Sequence, residues 1–325
     1  MAFLDTAGVG VSIDCALPWV EKLIAEGAGE ELQSGSAPGA SVIVRVEDDH
    51  RPFDTSGWQR VTRGAWVKER DVIVENALTA GFDLKLRCTP RHATFTYRWR
   101  PSSRDRTASR VLRSRFHLLA RAVLIQYPAL WWAGTLGRAP LHASACTAGA
   151  ATPLLSASGG IGRSTLVLGE LERGGRATGD NLSVGDGEVV WGLVEPLRIE
   201  GGSGRRMPHG RREAPMPAHA PALVPDVLVA LERGSASRPA LIPCDPETAA
   251  RSLVTSTYMA GELRRYWAFA ATLAGGTKAG PAHPPIEDVA RELAARLPCF
   301  RLVLGRSPGA GLAELLSTVP MEVEA

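Results

Sequence analysis

The sequence predicts an α/β fold with a β-rich α+β region at its N-terminus. Two observations carry this expectation: the first hundred residues hold short β-prone stretches cut by turn residues, and from Pro140 onward a strand, a glycine loop and a helix open a stretch of alternating strands and helices. At 325 residues and 45% hydrophobic, the chain has enough apolar material for a substantial core, and a norm of about 150 residues per domain gives one large or two modest domains. The expected boundary lies between a β-rich region over 1–108 and a second domain over 109–325.

Taken in order, Pro18 to Ala28 carries apolar residues at helical spacing, and Gly27 stands where such a helix would stop. Ser41 to Val46, Val61 to Val67, Asp71 to Asn76, Phe82 to Arg87 and Thr94 to Trp99 read as strands, with Lys68-Glu-Arg as a hairpin connection between the second and third. From Ser109 to Gly134 the pattern becomes helical: Val111, Leu112, Phe116, Leu118, Leu119, Ala122, Val123 and Ile125 form a stripe that broadens along the chain. Trp131 and Trp132 follow this apolar helix, which marks them as core aromatics rather than a nucleobase-stacking platform.

After Pro140, strands are expected at Leu141 to Thr147 and Pro153 to Ser156, then a glycine loop, a helix from Ser164, and strands near Ala177 and Val189. Between Gly201 and Ala222 Gly, Pro, His and Arg dominate without hydrophobic periodicity, so a mobile loop is expected, carrying Arg205, Arg206, Arg211 and Arg212. Such a loop either closes over phosphates or grips an acidic peptide, or it is a solvated connection. Beyond it the sequence predicts a strand at Val227 to Leu231, helices over Glu247 to Thr257, Gly261 to Leu273 and Ile286 to Leu297, a strand at Phe300 to Leu304 and a last helix from Ala310.

Composition narrows the classes of function. Apolar runs such as Ala122 to Ile125 are far shorter than the ~20 residues of a membrane-crossing helix, and no basic flank with a signal-type apolar stretch stands at the N-terminus, so the expected location is the cytoplasm. The five cysteines have no pair at the spacing of zinc or redox motifs and are expected as reduced thiols. A net charge of +3, from 37 Lys+Arg against 34 Asp+Glu, is no footprint of nucleic-acid binding.

The segment Leu154-Leu-Ser-Ala-Ser-Gly-Gly-Ile-Gly-Arg-Ser-Thr-Leu166 has the layout of a P-loop, in which a hydrophobic strand runs through a glycine-rich turn into a Ser/Thr-opened helix. Gly159, Gly160 and Gly162 can present backbone N–H groups without Cβ hindrance, and a helix start near Ser164 adds unsatisfied donors for a phosphate. The candidate binding segment is therefore Ser158, Gly159, Gly160, Ile161, Gly162, Arg163, Ser164 and Thr165, with Ser164 offering its hydroxyl to magnesium. The pattern departs from G-x-x-x-x-G-K-[ST] at two positions, where Ala157 replaces the first glycine and Arg163 the lysine. Arginine keeps the charge and can fork onto two phosphate oxygens, but it is bulkier and planar.

Leu141-His-Ala-Ser-Ala, the glycine loop, Leu171-Glu-Arg-Gly-Gly-Arg176 and Thr178-Gly-Asp-Asn181 occur in one order and at close spacing. Together they resemble the HPr kinase/phosphorylase catalytic domain and the wider HPr-kinase-related set that includes lasso-peptide kinases. The likeness is specific from Pro140 to Gly185, and continues loosely through Gly261-Glu-Leu-Arg-Arg-Tyr-Trp267 and Leu297-Pro-Cys-Phe-Arg-Leu302. It implies a core of the phosphoenolpyruvate carboxykinase/HPr kinase C-terminal type, ATP and Mg2+ bound at the loop, Asp180 as the catalytic carboxylate, His142 beside the reacting phosphate, and a closed homo-oligomer. Ser164 and Asp180 are the implied metal ligands, and Arg163 joins Asp180 and His142 as a catalytic candidate. Where the family has a second acidic residue this chain has Asn181, which removes one charge from the metal site.

The expected activity is an ATP-dependent phosphotransferase acting on a hydroxyl acceptor, a Ser or Thr of a peptide or protein or a small metabolite. A carboxylate beside the phosphates can accept the acceptor's proton or help hold magnesium. The alternative, motivated by Arg163 and Asn181, is a catalytically degenerate nucleotide- or anion-binding scaffold on the same fold.

Overall fold

A computed structural model describes residues 1–35, 37, 39–200, 204–207, 210–306 and 311–318. The chain divides into two compact units. Unit 1 comprises Met1–Gly137, Ser203–Glu213 and Arg265–Pro284, and unit 2 comprises Arg138–Gly202, Ala214–Arg264 and Pro285–Ala325. The first division therefore falls at Gly137 and not after residue 108, because the helices that follow the N-terminal strands pack back onto them.

In unit 1 the chain runs through β1 (Ala2–Thr6), β2 (Val9–Cys15), α1 (Pro18–Ala28), β3 (Gln33–Ser34), β4 (Val42–Glu47), β5 (Gln59–Thr62), β6 (Ala65–Lys68), β7 (Asp71–Val74), β8 (Phe82–Cys88) and β9 (Ala93–Trp99). Three helices follow, α2 (Ser103–Val111), α3 (Arg113–Arg121) and α4 (Tyr127–Thr135), the last two joined by a π-helical turn over Ala122–Gln126. The strands form one sheet in the order β3-β1-β2-β4-β9-β8-β7-β6-β5, parallel at β2–β4 and β4–β9 and antiparallel elsewhere. The Lys68-Glu-Arg hairpin forms with Glu69 at φ 57°. Val61 to Val67 is not one strand but two, because Gly64 turns the chain between β5 and β6 at φ 75°. The β1–β2 hairpin was not expected, although Val9, Val11 and Ile13 alternate as a half-buried strand should.

The helical stretch expected from Ser109 to Gly134 is one path with breaks, since Leu112 leaves helical geometry between α2 and α3. Trp131 is a core residue, packing edge-on against Phe95 with ring centroids 5.9 Å apart. Tyr97, fully buried on β9, donates its hydroxyl hydrogen to the Val123 carbonyl at 2.6 Å, inside the π-helical turn.

Unit 2 begins with β10 (Ala139–Leu141), β11 (Ala143–Ala145), β12 (Pro153–Ser156), α5 (Arg163–Glu172), β13 (Ser183–Gly185), β14 (Val190–Gly192) and β15 (Leu197–Glu200). The chain then enters unit 1, where β16 (Arg211–Ala214) lies up to Glu213, and resumes unit 2 with β17 (Ala222–Leu223), β18 (Val227–Arg233), β19 (Ala240–Pro243) and α6 (Pro246–Met259). The chain then returns to unit 1 for α7 (Tyr266–Thr277) before closing unit 2 with α8 (Ile286–Arg296), β20 (Cys299–Leu304) and α9 (Leu312–Ser317). Unit 2 holds a five-stranded sheet, β11-β12-β18-β20-β19, and a four-stranded sheet, β10-β13-β14-β17. In the larger sheet β12, β18 and β20 are parallel. Leu228, Val229, Ala230 and Leu231 of β18 are all buried, as a parallel strand covered on both faces requires. One face packs Leu155, Val229 and Leu302 with Val167 and Leu171 of α5, while α6, with Leu253 buried, lies against β12, β18 and β20, and α8, with Leu293 buried, packs on α6 and β10.

The expected strand from Leu141 to Thr147 is interrupted at His142, where the chain leaves one sheet and enters the other. The helix expected from Gly261 begins at Tyr266, and Ala310, the expected start of the last helix, lies outside the described residues. The basic segment over 201–222 falls partly outside them too, but its four arginines are described and are not a free loop. Arg211 and Arg212 lie on β16, Arg206 bridges to Arg212, Arg205 pairs with Glu26, and Arg212 donates to the Gly204 carbonyl at 2.9 Å. Among the described residues, no helix is long and apolar enough to cross a membrane.

Candidate functional site

The strand, loop and helix expected over 153–172 are all in unit 2. β12 is buried at every position and lies between β11 and β18. Its carboxyl end delivers the chain through buried Ala157 to Ser158, Gly159 and Gly160, all exposed. Gly160 and Gly162 have φ of 83° and 129°, backbone that other residues rarely adopt, and a Cβ at Gly159 or Gly160 would meet nothing within 4 Å. Gly162 starts α5 without a side-chain cap, so the first-turn N–H groups keep their donor capacity, apart from those of Thr165 and Leu166, which return to the Gly162 carbonyl at 3.1 and 3.2 Å. Ser164 is half-buried in this first turn and Thr165 is exposed.

Arg163 occupies the lysine position of the pattern but does not present its charge to solvent. Its side chain is buried, and its guanidinium donates to three main-chain carbonyls: His142 at 2.5 Å, Asn181 at 3.1 Å and Asp180, from Nε, at 3.2 Å. In this state the guanidinium, which can fork onto phosphate oxygens, is engaged by these carbonyls instead. It ties the start of α5 to the break between β10 and β11 and to the turn before β13, and so gathers all three catalytic candidates at one point.

Asp180 is fully buried. Its Oδ2 accepts from the Arg198 N–H at 3.0 Å and from the Asn181 side-chain amide at 3.1 Å, while buried Oδ1 has no hydrogen-bond partner. His142 is buried as well, its main-chain N–H donating to the Thr257 hydroxyl at 3.0 Å and its Nδ1 unpartnered. Burial, reinforced by the Arg163 charge and opposed by Glu262, pushes the imidazole down to about 3, so it is neutral at physiological pH.

Glu195, Arg198 and Glu262 complete the cluster. Glu195 Oε1 accepts from the N–H groups of Asn181 and Leu182 at 2.7 and 3.0 Å, and Oε2 stands 3.5 Å from the Arg198 guanidinium, which also pairs with Glu262. Burial pushes the Glu195 carboxyl up to about 7, Arg198 working against the shift and Asp180 with it. Glu195 was missed: Arg198 stands only three residues on, but the N–H groups that hold its Oε1, those of Asn181 and Leu182, come from an earlier turn of the chain.

Magnesium is ordinarily held by one or two carboxylates together with substrate phosphates rather than by a full protein cage. Among the described residues no group of three or more His, Cys, Asp or Glu side chains is placed to hold a metal alone. The unpartnered Asp180 Oδ1 and the Ser164 hydroxyl are the oxygen donors suited to a phosphate-bound ion of that kind. The chain matches no protein-family model, and no curated protein matches it.

Proposed function

We propose that unit 2 is an ATP-dependent phosphotransferase of the phosphoenolpyruvate carboxykinase/HPr kinase type, acting on a hydroxyl acceptor of a peptide, a protein or a small metabolite. The observation that carries this reading is the junction at Arg163, where an open glycine loop at the carboxyl end of a parallel strand meets Asp180 and His142 on either side of one guanidinium. Phosphates would be bound along Ser158 to Thr165, by the N–H groups up to that of Ser164, since the Thr165 N–H is held by the Gly162 carbonyl. Mg2+, held by Ser164 and Asp180 with the phosphates, would neutralise charge on the transferring group.

Asp180 Oδ1 is the oxygen that would either help hold the ion or accept the acceptor's proton, since Oδ2 is already held by two donors. In the described state that oxygen is buried, so the acceptor meets it only after the site opens. Neutral His142 contributes a hydrogen bond rather than a positive charge. The proposal places the protein in the cytoplasm, where ATP is available, and as a closed homo-oligomer.

Two observations favour a second reading, a nucleotide- or anion-binding scaffold without turnover: Arg163 is spent on carbonyls, and the Asn181 amide donates to Asp180 where an acidic residue would add charge to the metal site. Titration of the purified protein with ATP, with and without magnesium, followed by assay of phosphoryl transfer to peptide and metabolite acceptor pools, separates the two. The kinase predicts magnesium-dependent binding with transfer lowered at least a hundredfold in Asp180→Asn, on the scale of a lost general base. Binding without Asp180-dependent transfer leaves the scaffold, and no ATP binding removes the kinase and the nucleotide-binding form of the scaffold.

A further inference from the structure

A P-loop lysine supplies a positive charge to the terminal phosphates, and in this chain the residue at that position is committed elsewhere. Arg163 donates to three carbonyls from a buried position. Arg198 is enclosed between Glu195 and Glu262. A second guanidinium reaches the glycine loop from outside the motif. Arg233, exposed at the last position of β18, donates from Nε to the Ile161 carbonyl and from Nη2 to the Gly160 carbonyl, each at 3.3 Å.

Its position follows from strand register. β12 and β18 are parallel with Ser156 opposite Ala230, so three residues further on both chains emerge at the same edge, one as the glycine loop and the other as Arg233. β20 ends there too, with Leu304 paired to Arg233 and its Cδ1 3.1 Å from where a Cβ on Gly162 would stand. The carboxyl ends of parallel strands are where open α/β sheets place their ligands. The hydrogen bonds of Arg233 go to carbonyls rather than to a carboxylate, so its charge is not cancelled by them. Two of its five N–H donors are used, and Nη1 is uncommitted in these bonds.

We propose that Arg233 is the phosphate-binding cation of this site, bracing the loop through Gly160 and Ile161 and donating from its remaining N–H groups to the bound phosphates, in place of the lysine that the motif lacks. This rests on the reading of the loop as a nucleotide site. It also reassigns the roles of two arginines: Arg163 holds the fold and Arg233 holds the ligand.

The test is titration of MgATP into the full-length parent, Arg233→Ala and Arg233→Gln, with thermal midpoints measured alongside. Gln keeps donors for the loop carbonyls and removes the charge. The expected result is affinity at least tenfold weaker in both variants, with midpoints close to the parent because the side chain is exposed. If the parent binds and both variants bind within twofold of it, Arg233 is not the phosphate cation, and the nucleotide reading stands. Weakening in Ala with parental affinity in Gln makes Arg233 a loop brace and also overturns the proposal. If the parent itself does not bind MgATP, the nucleotide reading fails and this inference with it.

Discussion

At the scale of single residues, the site is a set of buried charges whose protonation couples to folding. His142 is held below its ordinary range, so its contribution to stability is present above about pH 6.5 and is lost as pH falls toward about 3. Glu195 is held above its range, so its contribution is present below about pH 4.5 and is lost as pH rises through about 7. Between about pH 4.5 and 6.5 the two slopes are opposite and each amounts to about 1.4 kcal/mol per pH unit, so they cancel. Chemical denaturation between pH 5 and 6.5 is expected to show stability rising with pH in Glu195→Gln and falling with pH in His142→Asn, relative to the parent. Parallel profiles in all three proteins would show that neither group titrates as described. At the same scale, Arg163→Ala leaves three carbonyls without their donor and is expected to lower stability by about 3 to 5 kcal/mol, read from the urea midpoint. Such a loss is too large for a side chain whose only partner is a bound nucleotide.

At the scale of elements, the glycine loop has two kinds of glycine. Gly162, at φ 129°, initiates α5 in a conformation that alanine adopts only under strain, and its Cβ would crowd Leu304. Gly162→Ala is expected to cost about 1 to 3 kcal/mol and to lower the thermal midpoint. Gly159 has neither restriction, for its φ is ordinary and a Cβ there meets open space. Gly159→Ala is expected to leave stability within about 0.5 kcal/mol while weakening ATP binding, because the added methyl projects where the phosphates would approach. Equal effects of the two substitutions on both stability and binding would show that the loop has no division between scaffold and ligand positions. The break of the expected strand at His142 is a second feature at this scale. β10 and β11 belong to different sheets, and the residue between them offers its N–H to Thr257 and its carbonyl to Arg163 instead of to a strand ladder.

At the scale of the whole molecule, the chain passes between its units more than once, so neither unit is a continuous segment. Unit 1 takes α7 from residues beyond 264, and the fit is close: Phe269 stacks on Phe95 with centroids 6.5 Å apart, and a Cβ on Gly276 would collide with the Val72 side chain. A fragment over 109–325 therefore keeps Trp131 and Phe269 while losing the sheet that buries them. Expressed alone, it is expected to bind a hydrophobic dye and to lack a single cooperative thermal transition, whereas the full chain shows cooperative melting. A fragment melting as sharply as the full chain would mean that the second half folds without those contacts.

The sequence by itself determined what depends on neighbours along the chain. The apolar run, the glycines and the helix start over 153–172 specify a strand, a turn and a helix locally, and β12, the loop and α5 stand where those residues place them, α5 starting one residue earlier than expected. Alternation of apolar residues likewise located β8 and β9, and the aromatic pair at Trp131 and Trp132 belongs to the core. What only the tertiary structure decided was the direction and partner of each charge. An arginine after a glycine loop reads as a phosphate ligand because spacing reports backbone geometry, not the path of a long flexible side chain. Three carbonyls, from residues 142, 180 and 181, drew Arg163 inward, and they come from turns distant in the chain. The Arg198–Glu262 pair spans 64 residues and joins β15 to the turn after α6, and Arg233, 72 residues from Ile161, is placed by the register of β18 on β12, so both follow from packing of the whole unit.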